Sequence, residues 1–102
     1  MIEEIQRHVR SGGYYFTVHA FERFVERNIS PGEVREILLS GEVIEEYPKD
    51  KYGPSCLVFG KTSAGRILHV QCSSDPVWII TAYDPTLNPE EWEEGFKRRK
   101  KI

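Results

Sequence analysis

No stretch of this 102-residue chain approaches the ~20 consecutive apolar residues of a membrane-spanning helix, so a span is not expected. The opening residues carry Glu3 and Glu4 where a secretory leader carries basic side chains, and a cytoplasmic location is the resulting expectation. Cysteine is scarce. Cys56 and Cys72 lie outside any CxxC or Cys/His metal spacing, which predicts buried free thiols in place of a disulfide or a metal site. A glycine-rich phosphate loop, HExxH or EF-hand spacing and a GxSxG elbow are all missing, so metal and nucleotide chemistry are disfavoured and no cofactor is expected. Repeats, low-complexity tracts and linkers are missing too, and at this length the chain reads as one domain, residues 1–102, with one core. Nor is either charge in large excess: 14 Lys and Arg against 16 Asp and Glu leave a net charge of −2, which argues against a general nucleic-acid-binding surface.

What is present is a regular alternation of helical and strand patterns. Ile2, Ile5 and Val9 fall at helical spacing and Gly12-Gly13 ends the pattern, which predicts a short first helix. Tyr14 to Val18 is aromatic and β-branched and reads as a strand running into a second helix from His19 to Asn28. Ser30-Pro31-Gly32-Glu33 combines a hydroxyl cap, a proline at the first helical position and a glutamate that closes a capping box. A third helix, Pro31 to Ser40, should bury Val34, Ile37 and Leu38. Val43 to Tyr47 predicts a strand, and Pro48 to Pro54 an exposed connection. Ser55 to Lys61, Arg66 to Ser73 and Val77 to Asp84 then form a meander with short turns. Asn88-Pro89-Glu90-Glu91 repeats the capping pattern, and Trp92 and Phe96, four apart, predict a final helix. The basic run from Lys97 to Lys101 reads as the solvated end of that helix. The expected order is α-β-α-α-β-β-β-β-α, an α+β domain with helices packed on a mostly antiparallel sheet of four to five strands.

Candidate chemistry gathers on the second helix and the meander. His19, Arg23 and Arg27 are spaced four apart and make a polar stripe of one imidazole and two guanidiniums. In the strands, Leu68, Val70 and Cys72 alternate with Ile67, His69, Gln71 and Ser73, and Trp78, Ile80 and Ala82 alternate with Val77, Ile79, Thr81 and Tyr83. If the wholly apolar sets face the helices, His69, Gln71, Thr81 and Tyr83 share the other face. Such a set suits metal-free RNA cleavage. A base must take the 2′-hydroxyl proton, an acid must protonate the leaving 5′-oxygen, and cations must hold the phosphate.

The segments Tyr14 to Pro31, Gly41 to Pro48, Pro54 to Val58, Gly65 to Val70 and Ile80 to Pro85 resemble domain-of-unknown-function family 4258. The strongest marks are the His19-Ala-x-x-Arg23-x-x-x-Arg27 block and the Thr81-x-Tyr83-x-Pro85 strand end. The resemblance implies a branch of the RelE-like toxin fold, whose members are often small metal-independent endoribonucleases neutralised by a neighbouring antitoxin. By position it implies the polar set His19, Arg23, Arg27, His69, Thr81 and Tyr83; with Gln71 added from the strand face, His19, Arg23, His69 and Tyr83 are the candidate catalytic residues and Arg27, Gln71 and Thr81 the candidate substrate-binding ones. In that reading His19 and His69 share the acid and base duties, Arg23 and Arg27 hold phosphate, and Tyr83 orients or donates. The expected partners are an RNA substrate, a cognate antitoxin protein and a second copy in a homodimer, with no membrane. The acidic balance departs from the basic character of such toxins. It suits the alternative, a non-catalytic protein-binding module of the same fold.

Overall fold

The computed structural model describes residues 1–51 and 53–101; within the connection expected at Pro48 to Pro54, Tyr52 lies outside the described residues. Helix α1 (Ile2–Arg10) buries Ile5 and Val9, with Glu3 and Glu4 in its first turn and Arg7, His8 and Arg10 in its last, charges that complement the helix dipole. The short strand β1 (Tyr14–Phe16) passes into α2 (Val18–Glu26), whose N-cap Thr17 accepts a 2.9 Å hydrogen bond from the Ala20 N–H. Ala20 and Phe24 point from α2 into the core. The chain leaves α2 through Asn28 in the left-handed region, φ 53°. It enters α3 (Pro31–Ser40) through the complete Ser30/Glu33 capping box.

Strands β2 (Glu42–Tyr47), β3 (Ser55–Lys61), β4 (Ile67–Ser73) and β5 (Val77–Tyr83) complete one five-stranded sheet of order β1-β5-β4-β3-β2. β1 lies parallel to β5 and the other three pairings are antiparallel. All three helices cover one face, where Val34, Ile37 and Leu38 meet Val58, Leu68, Val70 and Ile79. Gly60 of β3 lets α3 pack closely: an added Cβ would lie 3.1 Å from the Ile37 side chain. Cys56 and Cys72 are cross-strand partners in this core, buried and free as expected. The class, and the order of elements from α1 through β5, are those the sequence predicts.

Two local features differ from the pattern. The last element is not an α-helix. The chain makes two 3₁₀ turns, Pro85–Leu87 and Pro89–Glu91, after which Trp92 is already extended (φ −126°, ψ 146°). Gly95 (φ 92°) and Phe96 (φ 61°) then reverse it, and a bridge between Trp92 and Arg99 closes a small hairpin. The hairpin brings Trp92 and the Phe96 carbonyl onto the sheet together, and Lys97 and Arg99 are ion-paired side chains instead of a solvated helix end.

The second difference is a bulge in β5. Gln71 pairs with Thr81 but Cys72 pairs with Ile79, so Ile80 is an extra residue. The core-facing residues of β5 are therefore Val77, Ile79 and Ala82, not the set Trp78, Ile80 and Ala82 that strict alternation predicts. Past the bulge, Thr81 and Tyr83 still face away from the helices.

Candidate functional site

On the sheet face opposite the helices the register lines up Glu42, Phe59, His69 and Tyr83 across four strands. The next row is Glu45, Leu57, Gln71 and Thr81. The C-terminal hairpin lies over the first row and seals His69, which is 0% exposed. The Trp92 and Tyr83 rings stand edge-on to the imidazole at centroid distances of 4.5 and 5.2 Å. His69 Nε2 lies 2.7 Å from the Phe96 carbonyl oxygen and Nδ1 lies 3.2 Å from the Tyr83 hydroxyl. A carbonyl only accepts, so Nε2 carries the hydrogen; Nδ1 is then the acceptor and the Tyr83 hydroxyl donates to it. Burial pushes the His69 pKa below the ordinary histidine value, which favours the neutral ring. Burial also raises the Tyr83 phenol, with Arg99 lowering it and Glu45 raising it in turn.

Tyr83 opens onto a cleft of about 570 Å³. Its walls are the end of α2 (Glu26, Arg27, Asn28), the end of β5 and the following turns (Asp84, Leu87, Asn88, Glu91), and the hairpin residues Trp92 and Arg99. Arg27 crosses from α2 to the edge of β5 left open where β1 stops, donating to the Ala82 carbonyl at 2.8 Å and to Thr81 Oγ1 at 3.3 Å. Arg99 enters from the other side, its Nε 2.8 Å from Glu45 and its guanidinium 4.5 Å from the Trp92 ring centre. Glu45 also accepts a short hydrogen bond from Tyr47, whose phenol burial pushes up to about 12. The two guanidiniums face three carboxylates, two of which pair with other arginines: Glu26 with Arg23 at 3.0 Å and Asp84 with Arg66 at 3.7 Å. Arg66 also reaches the Arg27 and Asn28 carbonyls, tying the end of α2 to this wall.

The structure thus brings four of the seven expected residues together: His69, Tyr83, Thr81 and Arg27. Gln71 shares their face but donates to Asp50 at 2.8 Å and to Ser55 at 3.3 Å, beside a separate groove lined by Tyr47 and Lys49. Arg23 is spent on Glu26, its neighbour along the helix. His19 is exposed at the start of α2, does not line the cleft, and has no hydrogen-bond or ion-pair partner among the described residues. The two histidines therefore do not converge. Arg99, Glu91 and Trp92 line the cleft without having been expected there; the basic run was visible in the sequence, but helical spacing directed it to solvent. Among the described residues no group of three or more His, Cys, Asp or Glu side chains is arranged to hold a metal ion.

A helix-backed mixed sheet with a cleft at the end of β5 is the architecture on which these residues sit. Residues 16–84, more than half of the chain, match the family model described as a domain of unknown function (DUF4258), and the chain belongs to that family. No curated protein and no solved structure matches the chain. Among the described residues no helix is long and apolar enough to cross a membrane.

Proposed function

We propose that this domain is a metal-independent endoribonuclease, the toxin component of a RelE-like toxin–antitoxin pair, acting in the Arg27–Tyr83–Arg99 cleft. The observation that carries the reading is the Tyr83–His69–Phe96 chain of hydrogen bonds, which opens on the cleft at one end and is anchored on a backbone carbonyl at the other. The substrate 2′-hydroxyl gives its proton to the Tyr83 oxygen while the Tyr83 proton passes to His69 Nδ1. The 2′-oxygen forms its bond to phosphorus and the bond to the 5′-oxygen breaks; that oxygen takes a proton from water, and the hydroxide so formed recovers the proton from His69 through Tyr83, leaving a 2′,3′-cyclic phosphate, a 5′-hydroxyl and a neutral ring. Arg27 and Arg99 stabilise the charge on the phosphate. His69 keeps the proton-transfer duty expected of it but acts through Tyr83, and Arg27 and Arg99 replace Arg23 and Arg27 as the phosphate pair.

Purified protein incubated with single-stranded RNA in EDTA tests this. Wild type yields cyclic-phosphate ends, and Tyr83→Phe and Arg27→Met each lower the rate by about a hundredfold or more. Equal cleavage by all three refutes the site. A second reading, a non-catalytic module that holds a protein partner, is favoured by Val18, Phe21 and Val25, 80%, 53% and 70% exposed along one side of α2. Expression in bacterial cells separates the two: the nuclease arrests growth and Tyr83→Phe relieves the arrest, whereas the module leaves growth unchanged.

A further inference from the structure

Among the described residues, each contact that holds the C-terminal hairpin to the sheet involves a side chain. Its own hydrogen bonds run within it, from Glu93 N–H to the Arg98 carbonyl (2.8 Å) and from Lys100 N–H to the Glu91 carbonyl (2.9 Å). Among the described residues no backbone hydrogen bond joins residues 92–100 to β2, β3, β4 or β5. The attachment includes Lys97 Nζ to Glu42 at 2.7 Å and over the Phe59 ring at 5.1 Å, Arg99 Nε to Glu45 at 2.8 Å, and the contacts of Trp92 and the Phe96 carbonyl with His69.

The two carboxylates are three residues apart, a spacing that places side chains on opposite faces of a regular strand. Here a bulge corrects it. Glu42 pairs with Phe59 and Val43 with Val58, but Glu45 pairs with Leu57, leaving Ile44 extra, so Glu42 and Glu45 emerge together on the face that carries the hairpin.

We propose that Glu42 and Glu45, re-aimed to one face by this bulge, are positioning residues: they latch the hairpin so that its Phe96 carbonyl holds His69 with Nδ1 turned toward Tyr83. The inference rests on the relay proposed above and adds what sets its direction. With the hairpin loosened, Nε2 loses its acceptor and the imidazole meets water. The tautomer with hydrogen on Nδ1 then becomes populated, and it donates to the Tyr83 oxygen where it should accept, so it cannot take a proton from that side. The charged and titratable groups acting on His69 are Glu45 from β2, Tyr83 and Asp84 from the end of β5, and Arg99 from the hairpin.

The full chain labelled with ¹⁵N-histidine reports the ring state directly by NMR. Wild type shows one His69 tautomer, hydrogen on Nε2, titrating below the usual range. Glu42→Gln with Glu45→Gln gives mixed tautomers and RNA cleavage reduced about tenfold or more. Glu42→Lys alone shifts the ring toward mixed tautomers, and the charge swap Glu42→Lys with Lys97→Glu restores the wild-type tautomer. If the double variant unfolds, wild type in about 1 M salt, where screening shortens to about 3 Å, shows the same move to mixed tautomers. An unchanged ring in both experiments overturns the latch, and so does a mixed ring with undiminished cleavage. The expected ring response in a protein that cleaves no RNA refutes the nuclease and leaves the latch standing.

Discussion

His69 makes the stability of this domain depend on pH within a defined window. Its folded pKa lies below the ordinary value because burial disfavours the charged ring, so between that lowered value and about 6.5 the unfolded chain binds a proton that the folded chain refuses. Stability conferred by the neutral buried ring is complete above about pH 6.5 and is lost as pH falls toward the folded pKa, at up to about 1.4 kcal/mol per pH unit. Glu3 and Glu33, whose pKa values the fold lowers, lose their stabilising contribution only as pH falls through the carboxylate range, below this window. Against a total stability of about 5–10 kcal/mol, a loss of up to about 1.4 kcal/mol from pH 7.5 to 5.5 is readily measured. Urea unfolding at pH 7.5, 6.5 and 5.5 is the assay. His69→Gln is the control: its amide still donates to the Phe96 carbonyl, but it packs less well against Trp92 and leaves Tyr83 without its acceptor, costing about 2–3 kcal/mol at pH 7.5. Because glutamine does not titrate, the variant should be nearly flat from pH 7.5 to 5.5. A flat wild type, or a slope that survives in His69→Gln, refutes the assignment.

Two further predictions concern the scaffold. Gly41 has an ordinary φ of −85°, so alanine is not strained there, but its Cβ would fall on the Ile37 carbonyl and 2.5 Å from that of Phe59. Both obstacles are backbone, and Gly41→Ala should cost about 3 kcal/mol or more, a fall in melting temperature of about 12 °C or more by thermal denaturation. A fall of only a degree or two contradicts the close approach of α3 to β3. Ser30→Ala removes half of the capping box and should cost about 1 kcal/mol, with Ser30→Asp close to wild type in the same assay.

Much of this architecture was written locally. The Ser30-Pro31-Gly32-Glu33 start of α3 needs only groups within one turn of each other, and it folds as its sequence predicts. The alternation of Leu68, Val70 and Cys72 with His69 and Gln71 likewise places β4 correctly, because a strand without a bulge keeps period two. Trp92 and Phe96 mislead for the opposite reason. Their spacing suits a helix, yet a short segment has little helical stability of its own, and burial over His69 with two distant ion pairs outweighs it.

By itself the amino-acid sequence determined the class of fold, the order of elements through β5, the free buried thiols and the sheet face that carries His69, Tyr83 and Thr81, since each follows from patterns acting over a few residues. Tertiary structure alone decided that His19 stays outside the cleft, that Arg99 enters it, and that Glu42 and Glu45 meet the hairpin on one face. Those outcomes depend on two single-residue bulges and on contacts between segments about fifty residues apart. Such pairings depend on how whole faces pack, which no local pattern records.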